Sequence, residues 1–224
     1  MLQPSTLDFL RKLKKNNNKP WFDANRKLYE AAKADTVQLA DALLKEIVKF
    51  DPTLGHLSGK QCLFRINRDV RFSKNKDPYK TNFGISMARG GRSGPFAGYY
   101  FQIDPNSGHF AGGGLWMPMP DVLKNVRQEI DYNLAEWQGI VESKKFKAAF
   151  GEMYTGEEQK LSRPPKGYEA DNPAIEYLKL KSFITMTNLT DDNITSKGLA
   201  KKLAGLFATM HPMVVFLNRV MEGE

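Results

Sequence analysis

An α+β fold with a central, mostly antiparallel sheet is predicted by three observations on this 224-residue sequence. Apolar residues recur at helical three- and four-residue steps as far as Phe50, alternate singly between Lys60 and about Met117, and return to helical steps afterwards. The clusters ARGGRSGP and DPNSG separate the alternating runs with the turn chemistry that hairpins require. No linker-like tract divides the chain, so a single domain over residues 1–224 is expected, with N-terminal helices and a helical C-terminal part.

The elements follow in order. Ser5 is placed to cap a first helix, with Asp8 in its first turn and Leu7, Leu10 and Leu13 as its apolar stripe. Asn16, Asn17 and Asn18 end it. Pro20 suits the first turn of one long second helix, marked by Ala32, Thr36, Leu39, Leu43, Ile47 and Phe50 and stopped by Pro52 and Gly55. Strands are expected where Cys62, Phe64 and Ile66 alternate, where Phe83, Ile85 and Met87 do, and where Ala97, Tyr99, Phe101 and Ile103 do. GHFAGGGLWM reads as a strand weakened by glycine. Pro118 and Pro120 open a helix whose face is Leu123, Val126, Ile130 and Leu134; KFKAAF and AIEYLKLK are shorter helices, and SFITMTNLT is a strand between loops. Leu199, Leu203, Leu206 and Met210 mark a late helix that Pro212 is expected to interrupt.

Composition narrows the function classes. With 41% hydrophobic and 26% charged residues the chain has material for a sizeable core. Its opening run lacks the apolar stretch of a signal peptide, and no apolar run approaches the roughly 20 residues that span a bilayer. A cytoplasmic protein without membrane attachment is therefore expected. Cys62 is the one cysteine, so no intrachain disulfide can form. His56, His109 and His211 are too scattered for a zinc site and read as ordinary polar or packing residues, and nothing in the spacing of Asp69 or Asp104 argues for a hard metal. No cofactor is implied, and the oligomeric state stays open.

The formal charge of +8 is concentrated in one segment. Between Lys60 and Arg92 nine basic residues face only Asp69 and Asp77, a local net charge of +7. Guanidinium and ammonium groups bind phosphate and carboxylate, with Asn, Ser and Thr adding shorter contacts. The leading reading is a protein that binds a small anionic ligand, phosphorylated or carboxylated, through Arg65, Asn67, Arg68, Arg71, Lys74 and Lys80. On a strand Leu63, Arg65 and Asn67 would share a face, while Asn67 to Lys76 is too irregular for a strand, so Arg68, Arg71 and Lys74 would converge from a loop. The plain structural reading is that Arg65 and Arg71 pair with Asp69, Asp77 or other acids, and that Lys74 and Lys76 stay solvated.

Two alternatives accompany it. One is an enzyme acting on a phosphorylated metabolite, with Asp69 as acid or base and the arginines stabilising developing charge. The other is a nucleic-acid-binding or noncatalytic interaction protein, for which Tyr99, Tyr100 and Phe101 beside the basic run would supply stacking. Alternation leaves at most one face of that run free for bases, so the small anion is favoured. Trp21, Trp116 and Trp137 read as core or interface residues. GHLSGKQ is not a phosphate loop, because its glycines are one residue too close and it precedes a strand. GGG at Gly112 to Gly114 suits a bulge better than a ligand contact, and Arg163 and Lys181 form a second, weaker pair of cations.

The run FRINRDVRFSKNKDPYKTNFG, Phe64 to Gly84, resembles the signature of the domain of unknown function 2461 family. GGGLWMP, LSRPPKGY and EYLKLKSF resemble that family's other landmarks in the same order, so the likeness covers almost the whole chain. It implies a one-domain architecture shared with bacterial and fungal proteins, and it transfers no catalytic residue.

Overall fold

The structure is a computed structural model that describes residues 1–156 and 159–221. Four antiparallel strands form one sheet in the order β1-β2-β3-β4: β1 (Phe83–Ala88), β2 (Gly98–Ile103), β3 (His109–Leu115) and β4 (Phe183–Leu189). The helices are α1 (Pro4–Lys15), α2 (Lys19–Ala24), α3 (Arg26–Ile47), α4 (Gly59–Cys62), α5 (Pro120–Tyr132), α6 (Leu134–Val141), α7 (Lys144–Phe150), α8 (Ile175–Leu178), α9 (Asp191–Thr195) and α10 (Leu199–Arg219). The fold is α+β, with helices before the sheet and a long C-terminal helix. Among the described residues no helix is long and apolar enough to cross a membrane.

The chain forms two compact units, the first from Met1–Met87, Tyr100–Ala111 and Asn188–Gly205, the second from Ala88–Tyr99, Gly112–Thr187 and Leu206–Glu224.

In the first unit, α1 begins at Pro4 with Gln3 as its cap, not Ser5. Proline at the first position needs no N–H, and Asp35 fastens the helix start by accepting from Gln3 N (2.9 Å) and Thr6 Oγ1 (2.6 Å). The long second helix is two helices broken at Asn25, whose side chain donates back to Trp21 O (2.9 Å). The stripe Ala32, Thr36, Leu39, Leu43 and Ile47 is buried as the periodicity predicts.

The structure replaces the strand expected at Cys62, Phe64 and Ile66 with the single turn α4. Ser58 and Gln61 close a capping box there, and Gly59 presses on α3: its N–H donates to Asp41 Oδ1 (2.6 Å), and a Cβ on it would stand 2.5 Å from Val37 O. Cys62 is therefore a buried helix residue. The chain then pairs only through isolated antiparallel bridges, Leu63 with Ile85 and Asn67 with Tyr79.

In the second unit Trp137 lies fully buried against Tyr177, Phe183 and Phe216. α10 runs through Pro212 without stopping, contrary to expectation. The missing N–H costs one helical bond, but Met210, Met213, Val214, Phe216 and Leu217 on both sides are buried, and that burial offsets it. Near its end Asn218 exchanges two bonds with Ala97, accepting from its N (2.8 Å) and donating to its O (3.2 Å). The triple glycine is a packing device: a Cβ on Gly112 would meet Thr185 O at 2.1 Å, and one on Gly114, at φ +111°, would meet Phe183 O at 2.1 Å. Trp116, expected in the core or at an interface, is not in the core but exposed.

Candidate functional site

The basic segment folds as a hairpin in the first unit. Phe64 N donates to Gly84 O (3.0 Å), Lys80 N to Ile66 O (2.7 Å) and Arg68 N to Pro78 O (2.9 Å), leaving residues 69–77 as the loop. Asn17 fastens the second arm from outside: its amide donates to Tyr79 O (2.9 Å) and accepts from Tyr79 N (3.1 Å). The Tyr79 ring stacks on Phe22 at 4.0 Å and 13°.

The six cationic and polar residues singled out in the sequence are used differently. Arg68 points into the loop, donating to Asp77 O (3.0 Å) and Ser73 Oγ (3.3 Å), and so sets its curvature. Lys76 assists by donating to Val70 O (3.1 Å). Arg71 closes on Asp69 with two bonds, Nε to Oδ1 (3.0 Å) and a terminal nitrogen to Oδ2 (2.7 Å). Those bonds, the backbone N–H of Arg71 and the charge of Arg65 hold the Asp69 carboxyl below its ordinary range. Arg65, Asn67 and Lys74 are exposed, and Arg65 and Lys74 make no hydrogen bond or ion pair among the described residues. Leu63 does not share their exposure, because it is buried where it bridges to Ile85 of β1. The Lys80 ammonium stands over the Phe64 ring, 5.2 Å from its centre.

Phe64 begins a row of rings of which sequence reasoning singled out only Tyr100. It meets Tyr100 edge-on (6.3 Å, 61°), and Tyr100 meets Phe110 (5.5 Å, 39°). All three are half-buried, whereas Tyr99 and Phe101 are in the core as alternation predicts. Burial, with the charge of Asp104 behind it, pushes the Tyr100 phenol up to about 12. The signal available in the sequence was the opposite parity of Tyr100 and Gln102; that Phe64 and Phe110 join them required the strand register. Phe72, at the loop tip, is 95% exposed, with the Arg71 guanidinium 5.8 Å from its ring centre.

His109, His211 and Asp104 have structural partners. His109 accepts from Asp104 N at Nδ1 (2.9 Å) and donates from Nε2 to Asp191 Oδ1 (2.8 Å), while Arg11 pairs with the other oxygen of Asp191. His211 bonds Tyr99 Oη (2.7 Å). Asp104 holds the β2–β3 turn by accepting from Asn106 N (2.9 Å) and Ser107 N (3.1 Å). Arg163 is exposed, and Lys181 N donates to Gln159 O (2.8 Å); both belong to the second unit. Among the described residues no group of three or more His, Cys, Asp or Glu is placed to hold a metal ion.

Comparison with known proteins places the chain in a family. The model of the family described as conserved hypothetical protein (DUF2461) matches residues 5–216, and the chain belongs to that family. No curated protein and no solved structure matches it.

Proposed function

We propose that this member of the DUF2461 family binds a small anionic ligand, phosphorylated or carboxylated, on the hairpin between Leu63 and Ile85. One observation supports this most: Arg68 and Lys76 spend their donors on the loop's own oxygens, while Arg65 and Lys74 stay exposed and unspent on the frame so made. A loop braced from within presents cations without paying again to order them when an anion arrives. In this reading Arg65, Asn67, Lys74 and Lys80 contact the ligand, Arg71 exchanges Asp69 for it, and Arg68 shapes the loop. The pairing that lowers the Asp69 carboxyl makes it a weaker proton acceptor, which favours binding over acid-base chemistry at that residue. As a single domain in the cytoplasm, the chain would meet such ligands in its own compartment.

The test is a titration with inorganic phosphate and with citrate, followed by backbone amide shifts. Shifts should concentrate in residues 64–80 and shrink in Arg65→Ala and Lys74→Ala. Shifts spread evenly over the chain, or unchanged in both variants, would remove the site.

A further inference from the structure

The aromatic row beside the hairpin carries a more specific reading, which rests on the anion site just proposed. Tyr100 lies down across its neighbour strand: a Cβ on Gly84 would meet its Oη at 2.5 Å, Cζ at 3.1 Å and Cε2 at 3.2 Å. A tyrosine standing upright on a sheet could not bring its hydroxyl that close to a strand about 4.8 Å away. The missing side chain at Gly84 thus makes room for the hydroxyl end of the ring, which forms a floor between two other rings. Phe64 rises beside this floor at 61°, and Phe110 flanks it at 39°.

The groups around the floor select what can lie on it. The Lys80 ammonium at the Phe64 ring repels a cationic guest, which an aromatic cage alone would have favoured, and attracts a negative one. Gln102, on the same sheet face, accepts from Tyr100 Oη at 3.3 Å, and its amide nitrogen makes no hydrogen bond among the described residues. A side-chain amide offers adjacent donor and acceptor positions to the edge of a heteroaromatic ring. With its pKa raised to about 12, the phenol stays neutral and does not repel an anion.

We infer that the ligand of this site is a free nucleoside monophosphate, its base stacked on Tyr100, its ring edge met by Gln102 and its phosphate drawn to Lys80 and the hairpin cations. A single floor ring flanked on two sides accommodates one base, which is why a free nucleotide fits it and a longer strand does not.

The experiment compares adenosine 5′-monophosphate, ribose 5-phosphate, adenosine and a ten-residue oligodeoxyadenylate on the full chain. The nucleotide should bind about tenfold tighter than ribose 5-phosphate, the lower part of what one base-aromatic stack contributes. Tyr100→Leu should erase that preference, Tyr100→Phe should keep it, and base protons of the bound nucleotide should show cross-relaxation to the Tyr100 ring in the wild type. Equal binding of nucleotide and sugar phosphate, a preference that survives Tyr100→Leu, or absent cross-relaxation overturns the inference, the last even if Tyr100→Leu fails to fold. Oligonucleotide binding more than tenfold tighter than the nucleotide overturns it in favour of an extended strand. Ribose 5-phosphate binding that is equal to the nucleotide's and weakened by Lys80→Ala leaves the anion site standing alone. If no phosphate binds, both readings fall.

Discussion

Arg71 and Asp69 form a two-point ion pair only two residues apart, with bonds of 3.0 and 2.7 Å, on the exposed shoulder of the cationic loop. The carboxyl titrates below its usual 3.8 because Arg71 bonds its charged form. A lowered folded value means the bracing is fully present above the ordinary carboxylate range and is lost as pH falls through the depressed value. A carboxyl NMR titration should therefore place the Asp69 midpoint below 3.8, and Arg71→Gln should return it toward that value. A midpoint at or above 3.8 in the wild type would contradict the pair.

Phe72 and Arg68 should respond oppositely to substitution. Phe72 is 95% exposed, so Phe72→Ser should change unfolding stability by no more than about 0.5 kcal/mol. Arg68→Ala removes the donors to Asp77 O and Ser73 Oγ, and amide exchange in residues 69–77 should accelerate while β1 and β2 remain protected. Hydrogen exchange checks both.

His109 bridges a backbone N–H and the Asp191 carboxylate while only 3% exposed. His109→Ala leaves the Asp104 N–H buried without its acceptor, an expected loss of about 1–3 kcal/mol in denaturant unfolding. The Asp191 carboxyl is held low first by His109 and then by Arg11, so its contribution is present above the ordinary carboxylate range and disappears as pH falls through its lowered value. In His109→Ala, stability should depend less on pH in that acidic window.

Gly59→Ala should cost about 1–3 kcal/mol, the usual penalty of forcing an atom into a packed contact. The new Cβ would stand 2.5 Å from Val37 O, a backbone atom of α3 that cannot swing aside. Thermal unfolding measures it, and an unchanged midpoint would show that α4 can lift from α3.

The longer helices and all four strands were legible because each repeats its pattern over several residues, as Phe83, Ile85 and Met87 or Ala32 to Ile47 do. The failures were local. Cys62, Phe64 and Ile66 alternate like a strand, but Gly59 needs α3 beside it, a contact no nearby residue announces. Pro212 reads as a stop because its missing N–H is a local property, while the burial of Met213 to Leu217 that overrides it is tertiary. At the site the sequence located the cations and could not show how each spends its donors, since Arg68 reaches Asp77 O only once the loop has turned. Of the aromatic row only Tyr100 was legible, because Phe64, Tyr100 and Phe110 come from three separate stretches.

Asn17 holds Tyr79 as a neighbouring peptide would, but with a side-chain amide, and the two differ in chemical durability. Hydrolysis of that amide exchanges its NH2 for an oxygen and sets two acceptors against each other where a donor now faces Tyr79 O at 2.9 Å. The fastening at the hairpin's outer arm then turns from attraction to repulsion by a change of one mass unit. A molecule so altered would carry a looser hairpin than an intact one of identical gene sequence.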